Sequence, residues 1–196
     1  MTFAKHKSSE ESKEEADSLM VKIKSFNLPA RQLAALDFGC GIGHLTRALA
    51  PHFDKCLGLD ISAEMIEKAR ELNQEMDNCK FVVSCETLET LPDNHFDLVY
   101  ANVVLQHAPK RKMIKRYLAD FGRIIKKEGV IVFQLPSHIP FKDRLWSGFR
   151  SYNFIPEKEM VEYLQSLNLK VLSVENDNGF SSPGVVSRIY YVGRTI

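Results

Sequence analysis

The sequence predicts an α/β fold: a doubly wound, mostly parallel sheet in three α/β/α layers, with an antiparallel hairpin at its C-terminal edge. Three observations carry this. Short apolar runs alternate with stretches of helical periodicity, the rhythm of βαβ units whose sheet is covered on both faces. A glycine-rich turn, Gly39-Cys-Gly-Ile-Gly43, separates the first run from the helix after it. The last two β-rich runs are joined by a short turn segment, as in a hairpin. With 196 residues, 44% apolar and 26% charged, the chain can bury a real core. Collagen-like, low-complexity and wholly disordered chains are thereby excluded.

Taken in order, Met1 to Ser9 is polar and expected to fray. From about Glu10, Ala16, Leu19, Met20, Ile23 and Phe26 recur at helical spacing until Asn27-Leu-Pro29 stops them. Residues 1–26 are thus read as a tail and an amphipathic helix, and residues 27–196 as a single domain. Leu33 to Phe38 predicts the first strand, and His44 to Ala50 a helix stopped by Pro51. Lys55 to Leu59 predicts the second strand, ending at Asp60. Ser62 is placed to cap a helix from Ala63 to about Met76 that buries Met65, Ile66, Ala69 and Leu72. Lys80 to Val83 and Phe96 to Ala101 predict two further strands, the second preceded by the turn Leu91-Pro-Asp-Asn94. A helix from about Lys110 to Lys126 buries Met113, Tyr117, Phe121 and Ile124. Glu128-Gly129 closes it before the strand Val130 to Leu135. Pro156 opens a helix to about Leu167, followed by the strands Lys170 to Glu175 and Val185 to Val192.

Lys plus Arg number 26 against 25 Asp plus Glu, so no global field recruits nucleic acid or membrane. No apolar run approaches the roughly 20 residues that cross a bilayer. The N-terminus resembles neither a secretory signal nor a transit peptide. Cys40, Cys56, Cys79 and Cys85 show no metal-site spacing and read as free thiols in a reducing cytoplasm, so no metal is expected.

The glycine turn is the strongest chemical signal. Small residues let backbone approach a ligand, and the following helix presents free N–H groups. Because His44 follows Gly43, the third glycine falls one residue early for a dinucleotide fingerprint, and no Gly-Lys-Ser/Thr marks a P-loop. Asp60, ending the second strand, reads either as an acceptor for a ribose diol or as a helix N-terminal acid. The glycine turn one strand earlier favours the ribose.

These motifs together, Asp37-Phe-Gly-Cys-Gly-Ile-Gly43, Leu59-Asp-Ile-Ser-Ala-Glu-Met65, Leu91-Pro92 with Phe96-Asp-Leu-Val99, and Gly129 opening the fifth strand, resemble the class I S-adenosylmethionine-dependent methyltransferases. The resemblance spans Leu33 to Leu135 and implies a Rossmann-like sheet whose last strand runs antiparallel. It implies that Gly39, Cys40, Gly41 and Gly43 pass under the methionine part of S-adenosylmethionine, with Asp37 near its amino group. Asp60 would hold the ribose, Ile61 and Met65 would flank the adenine, and Asn102 would sit beside the methionine moiety. The family often reads the adenine amino group with an Asp before Leu-Pro. Here Ser84-Cys-Glu-Thr87 stands instead, leaving that task to Glu86 or to backbone near Thr87. The product would be S-adenosylhomocysteine.

For the acceptor, His107 in Asn102-Val-Val-Leu-Gln-His-Ala-Pro109 reads either as a general base, as in related small-molecule enzymes, or as a loop residue shaping the pocket. Residues 136–155 interleave Phe141, Trp146, Phe149, Tyr152 and Phe154 with Lys142, Arg144 and Arg150. They read as an acceptor lid, against a packed aromatic cluster. Lys110 to Lys127 holds eight basic residues against Asp120 alone. A solvated helix face outweighs a groove for RNA, given the neutral chain. An Asn-Pro-Pro-Tyr motif of base-methylating enzymes is absent, Asn102-Val-Val-Leu105 standing in its place. The expected partner is therefore a small-molecule acceptor on oxygen or nitrogen. Alternatives are a non-catalytic cofactor-binding protein and an RNA or protein methyltransferase, and the oligomeric state is left open.

Overall fold

The computed structural model describes residues 9–26, 33–84, 87–140, 152–177 and 185–194. The fold is a seven-stranded, mostly parallel sheet flanked by helices. The chain forms two compact units, Met1–Glu86 and Thr87–Ile196.

In the first unit, β1 (Ala34–Phe38) is buried along its whole length and pairs in parallel with β2 (Lys55–Asp60), which pairs in parallel with β3 (Cys79–Val83). α1 (Ser9–Lys24) buries Ala16, Leu19, Met20 and Ile23 of the stripe its periodicity predicts, while Phe26 lies past the helix end and is half-buried. α1 packs on α2 (His44–Leu49). α2 ends at Leu49 ahead of Pro51, as expected. The chain runs on into a 3-10 turn, Ala50–His52, which admits Pro51 because a first-turn position needs no backbone N–H. α3 (Ala63–Leu72) is capped as expected, Ser62 Oγ accepting from the Met65 N–H at 3.3 Å. The helix ends four residues earlier than its sequence suggests, at Leu72, which is 53% exposed and not on the buried face. Asn73 is the cause. Its Nδ2 donates to the Ala69 carbonyl at 2.6 Å and takes the acceptor that the next helical N–H would use.

In the second unit, β4 (Phe96–Ala101) pairs in parallel with β5 (Ile125–His138), and β7 (Val186–Arg194) runs antiparallel to both β5 and β6 (Leu169–Asn176). The late hairpin is therefore present, with β6 on the rim. α4 (Arg111–Ile124) buries Ile114, Tyr117, Leu118, Phe121 and Ile124, while Met113 stays half-exposed. β5 starts at Ile125, five residues before its apolar run. Glu128-Gly129 closes no helix. It lies where the register jumps from Phe96 opposite Ile125 to Leu98 opposite Val130, and Lys126 Nζ bridges both oxygens of Asp97 at 2.9 and 2.8 Å. α5 (Glu157–Ser166) begins directly after Pro156, as predicted.

Candidate functional site

β1 delivers its C-terminal end into the glycine loop. Gly39, Gly41 and Gly43 have φ of 79°, 53° and 82°, in the left-handed region where a Cβ is disfavoured. At Gly43 space forbids one as well, since a Cβ would lie 2.5 Å from the Phe81 ring. The Gly39 and Cys40 N–H groups donate to the Leu59 carbonyl at 2.7 and 2.9 Å. Asp60 completes the clamp. Its Oδ2 accepts from the Gly41 N–H at 2.9 Å and its Oδ1 from the Ser62 N–H at 2.8 Å. One carboxylate thus ties the loop to the start of α3. The sequence does not announce this role; the only cue is a Ser two residues beyond an Asp at a strand end.

Asp37 is buried under the loop, with Oδ2 accepting from Thr46 Oγ1 on α2 at 2.6 Å. Burial pushes its carboxyl up to about 7, the Thr46 hydroxyl opposing and the charges of Glu15 and Asp60 reinforcing the rise. Burial likewise pushes the Cys40 thiol up, so it is inert as a nucleophile at neutral pH. Ile61 is 74% exposed, an apolar side chain standing beside Asp60 in sequence, and Met65 is half-buried on the first turn of α3. The first unit therefore carries Asp37, Gly39, Cys40, Gly41, Gly43, Asp60, Ile61 and Met65 on the two adjacent β-strand ends and the segments that follow them.

The second unit carries the rest. Thr87 is half-buried, and Glu86 lies outside the described residues, as does Cys85. Asn102 follows β4 directly and is half-buried. Val103, next to it, has φ of 55°, which strains a β-branched residue. Its N–H donates at 3.2 Å to Oε1 of Gln134 on β5, whose Nε2 donates in turn to Ser187 Oγ on β7. Sequence reasoning passed over Gln134; the available signal was a polar residue inside the apolar run of β5. A 3-10 turn, Leu105–His107, leaves His107 exposed with its ring centroid 5.3 Å from that of Tyr152. Gln106 is buried, and its carbonyl accepts from the Asn153 N–H at 2.9 Å. Of the stretch 136–155, residues 141–151 lie outside the described residues. Its far end packs back on the 3-10 turn through Asn153, and Arg111 stacks over Phe154 at 4.5 Å.

The basic stretch is largely neutralised. Arg111 and Lys115 meet Glu159, Arg116 meets Glu89, Arg123 meets Asp93 and Asp120, and Lys126 meets Asp97.

Residues 36–133 match the family model described as a methyltransferase domain. The chain is 27% identical over 137 residues to an uncharacterized methyltransferase, YcgJ, of Bacillus subtilis, covering 69% of this chain and 52% of that protein. It is 35% identical over 122 residues to the trans-aconitate 2-methyltransferase of Deinococcus radiodurans, covering 56% of this chain and 44% of the relative. The chain thus spans about half the length of the curated relatives it matches. Among solved structures, an S-adenosylmethionine-dependent methyltransferase from Clostridium acetobutylicum shares the fold, with a TM-score of 0.71 at 19% identity over 92% of this chain and 91% of that one.

Proposed function

Because this chain belongs to the methyltransferase-domain family, the class I S-adenosylmethionine-dependent enzymes, we propose that it transfers a methyl group to an oxygen or nitrogen of a small-molecule acceptor. The observation that carries the proposal is the clamp on the glycine loop: three left-handed glycines held open by Asp60 through the Gly41 N–H. The residues fit the cofactor. Each Asp60 oxygen accepts one backbone N–H and keeps a lone pair for a ribose hydroxyl. Asp37 offers the cofactor's ammonium a carboxylate, and exposed Ile61 with Met65 offers the adenine an apolar edge. Gly39, Cys40, Gly41 and Gly43 provide backbone close to the methionine part. Glu86 and Thr87 are assigned to the adenine amino group, and Asn102 to the methionine end.

When bound, S-adenosylmethionine supplies an electrophilic methyl carbon on a sulfonium. The chain's own work is then alignment and exclusion of water, as an in-line displacement requires. His107 takes a proton where the acceptor has to lose one before it becomes nucleophilic. The acceptor is read as small because the charges of the basic helix are largely spent on Glu159, Glu89, Asp93 and Asp97. The relative from D. radiodurans is named for trans-aconitate, which supports the same class of acceptor. No described helix is long and apolar enough to cross a membrane, and a cytoplasmic location is proposed.

The test pairs calorimetry of S-adenosylmethionine binding with detection of S-adenosylhomocysteine over a panel of carboxylic acids, phenols and amines. Binding with turnover on at least one acceptor supports the proposal. Binding without turnover on any of them overturns it in favour of a non-catalytic cofactor-binding protein, and turnover on RNA or protein alone overturns the acceptor class.

A further inference from the structure

Two thiols lie at the N-terminal ends of β2 and β3, next to α2, and the proposed reaction uses neither. Cys56 on β2 and Cys79 on β3 are direct register partners in a parallel pair. Neighbouring strands run about 4.8 Å apart, within the roughly 4.4–6.8 Å between Cα atoms that a disulfide spans. Partners in register project to the same face of the sheet, which sets the two sulfurs side by side. They differ in surroundings. Cys56 is buried, whereas Cys79 is half-buried and reachable from solvent. Cys79 Sγ also lies 3.8 Å from the Thr46 carbonyl, to which it donates, and Thr46 Oγ1 holds Asp37.

We propose that Cys56 and Cys79 form a modification site, a dithiol that hydroperoxides convert reversibly into a disulfide. The Cys79 sulfur attacks the peroxide O–O bond, forming an S–O bond and releasing water from hydrogen peroxide. The Cys56 sulfur then displaces the sulfenic hydroxyl as a second water, closing the S–S bond. Two thiols are oxidised by one peroxide, and two equivalents of a small thiol return both hydrogens by exchange through a mixed disulfide, leaving as their own disulfide. The roles follow from the environment. The hydrogen bond from the Cys56 thiol holds Cys79 below the ordinary thiol range, while giving that bond and being buried raise Cys56. Cys40 is the rival partner on this face: a Cβ on Gly58, two residues beyond Cys56, would lie 2.9 Å from its Sγ. Burial keeps the Cys40 thiol protonated, which disfavours it as the attacking group.

Closing the disulfide removes the Cys79 proton from the Thr46 carbonyl and draws β3 against β2 beneath α2. A severalfold loss of S-adenosylmethionine affinity follows, and this consequence alone rests on the proposed function. The experiment exposes the full chain to hydrogen peroxide, blocks remaining thiols with a maleimide and maps the linked peptides by mass. A Cys56–Cys79 peptide lighter by two hydrogens and restored by dithiothreitol is expected. In Cys56→Ser, Cys79 should stop at a sulfenic acid trapped by dimedone. In Cys79→Ser, Cys56 should remain a thiol. Linkage through Cys40 or Cys85 instead, or both thiols still alkylated after peroxide, overturns the proposal whatever the chain binds. A disulfide that forms while cofactor affinity stays unchanged overturns only the coupling to the loop.

Discussion

Asp37 makes cofactor binding depend on pH in a way that can be worked out from its surroundings. Burial pushes its carboxyl up to about 7, so the free protein holds it largely protonated at pH 6. An ammonium group placed against it reverses the balance, because an opposite charge at contact favours the carboxylate. Binding then expels a proton, and affinity falls about tenfold for each pH unit below 7, or about 1.4 kcal/mol. Between pH 7.5 and 5.5 the dissociation constant should rise about 25-fold, with close to one proton released per site at pH 6. Calorimetry in two buffers of different ionisation enthalpy measures both. Asp37→Asn keeps an acceptor for Thr46 Oγ1 but cannot titrate, so its affinity should be weaker and flat across this range. A flat profile in the native chain, or the same slope in Asp37→Asn, refutes the assignment. The same group has a second consequence for the ligand-free protein. Its folded value lies above the unfolded value of 3.8, so the folded state binds the proton more tightly. Its stabilising contribution is complete below about pH 4 and is lost as pH rises to about 7, by up to about 4 kcal/mol. Asp37→Asn should therefore raise the melting temperature of the free protein at pH 8.

Asp60→Ala should weaken S-adenosylmethionine binding far more than Glu86→Ala, by calorimetry, and Asp60→Asn should fall between because it still offers one oxygen to a backbone N–H. Gly43→Ala introduces both a φ of 82° on a residue with a side chain and a 2.5 Å approach to Phe81. A loss above about 1 kcal/mol by urea denaturation is expected. Gln134→Leu leaves the Val103 N–H without its acceptor. It should cost about 1–3 kcal/mol of stability and lower kcat more than it changes cofactor affinity. His107→Ala should lose most turnover on an acceptor that must be deprotonated and leave cofactor binding intact; full turnover would remove the base.

The elements visible in the sequence are those set by local periodicity. The stripe of α1, the Ser62 cap and β4, apolar but for Asp97, needed nothing beyond their own residues. The misread boundaries were decided by neighbours. Asn73 ends α3 by reaching the Ala69 carbonyl, which no hydrophobic count includes. β5 starts at Ile125 because Phe96 pairs with it across a register jump, and Lys126 finds Asp97 there. In the candidate site the division is similar. The glycines and Asp60 were marked by motif spacing, but the clamp from Asp60 to Gly41 joins residues 19 apart and exists only once β1 and β2 pair. Thr46 lay unremarked in the helix expected from His44 to Ala50 until the fold put its hydroxyl on Asp37.

Val103 shows why the acceptor side was the harder half to read. A β-branched residue at φ 55° costs about 1–3 kcal/mol and persists only where its surroundings over-determine it. Here the determinant is the Gln134 amide, buried on β5 and fixed from its other end by Ser187 on β7. Releasing Val103 to an ordinary conformation would turn its N–H away and leave a buried amide oxygen unpaired, a comparable cost, so the strained turn is retained. The direction in which Asn102 and the turn to His107 leave β4 is therefore set by β5 and the last strand, 31 and 84 residues further along the chain. A change at Ser187, far from any methyltransferase motif, should thus move the acceptor preference while leaving the glycine loop and its clamp untouched. Ser187→Ala tests this directly: altered KM across the acceptor panel with unchanged cofactor affinity is expected, and unchanged KM for every acceptor would break the chain of reasoning from β7 to His107.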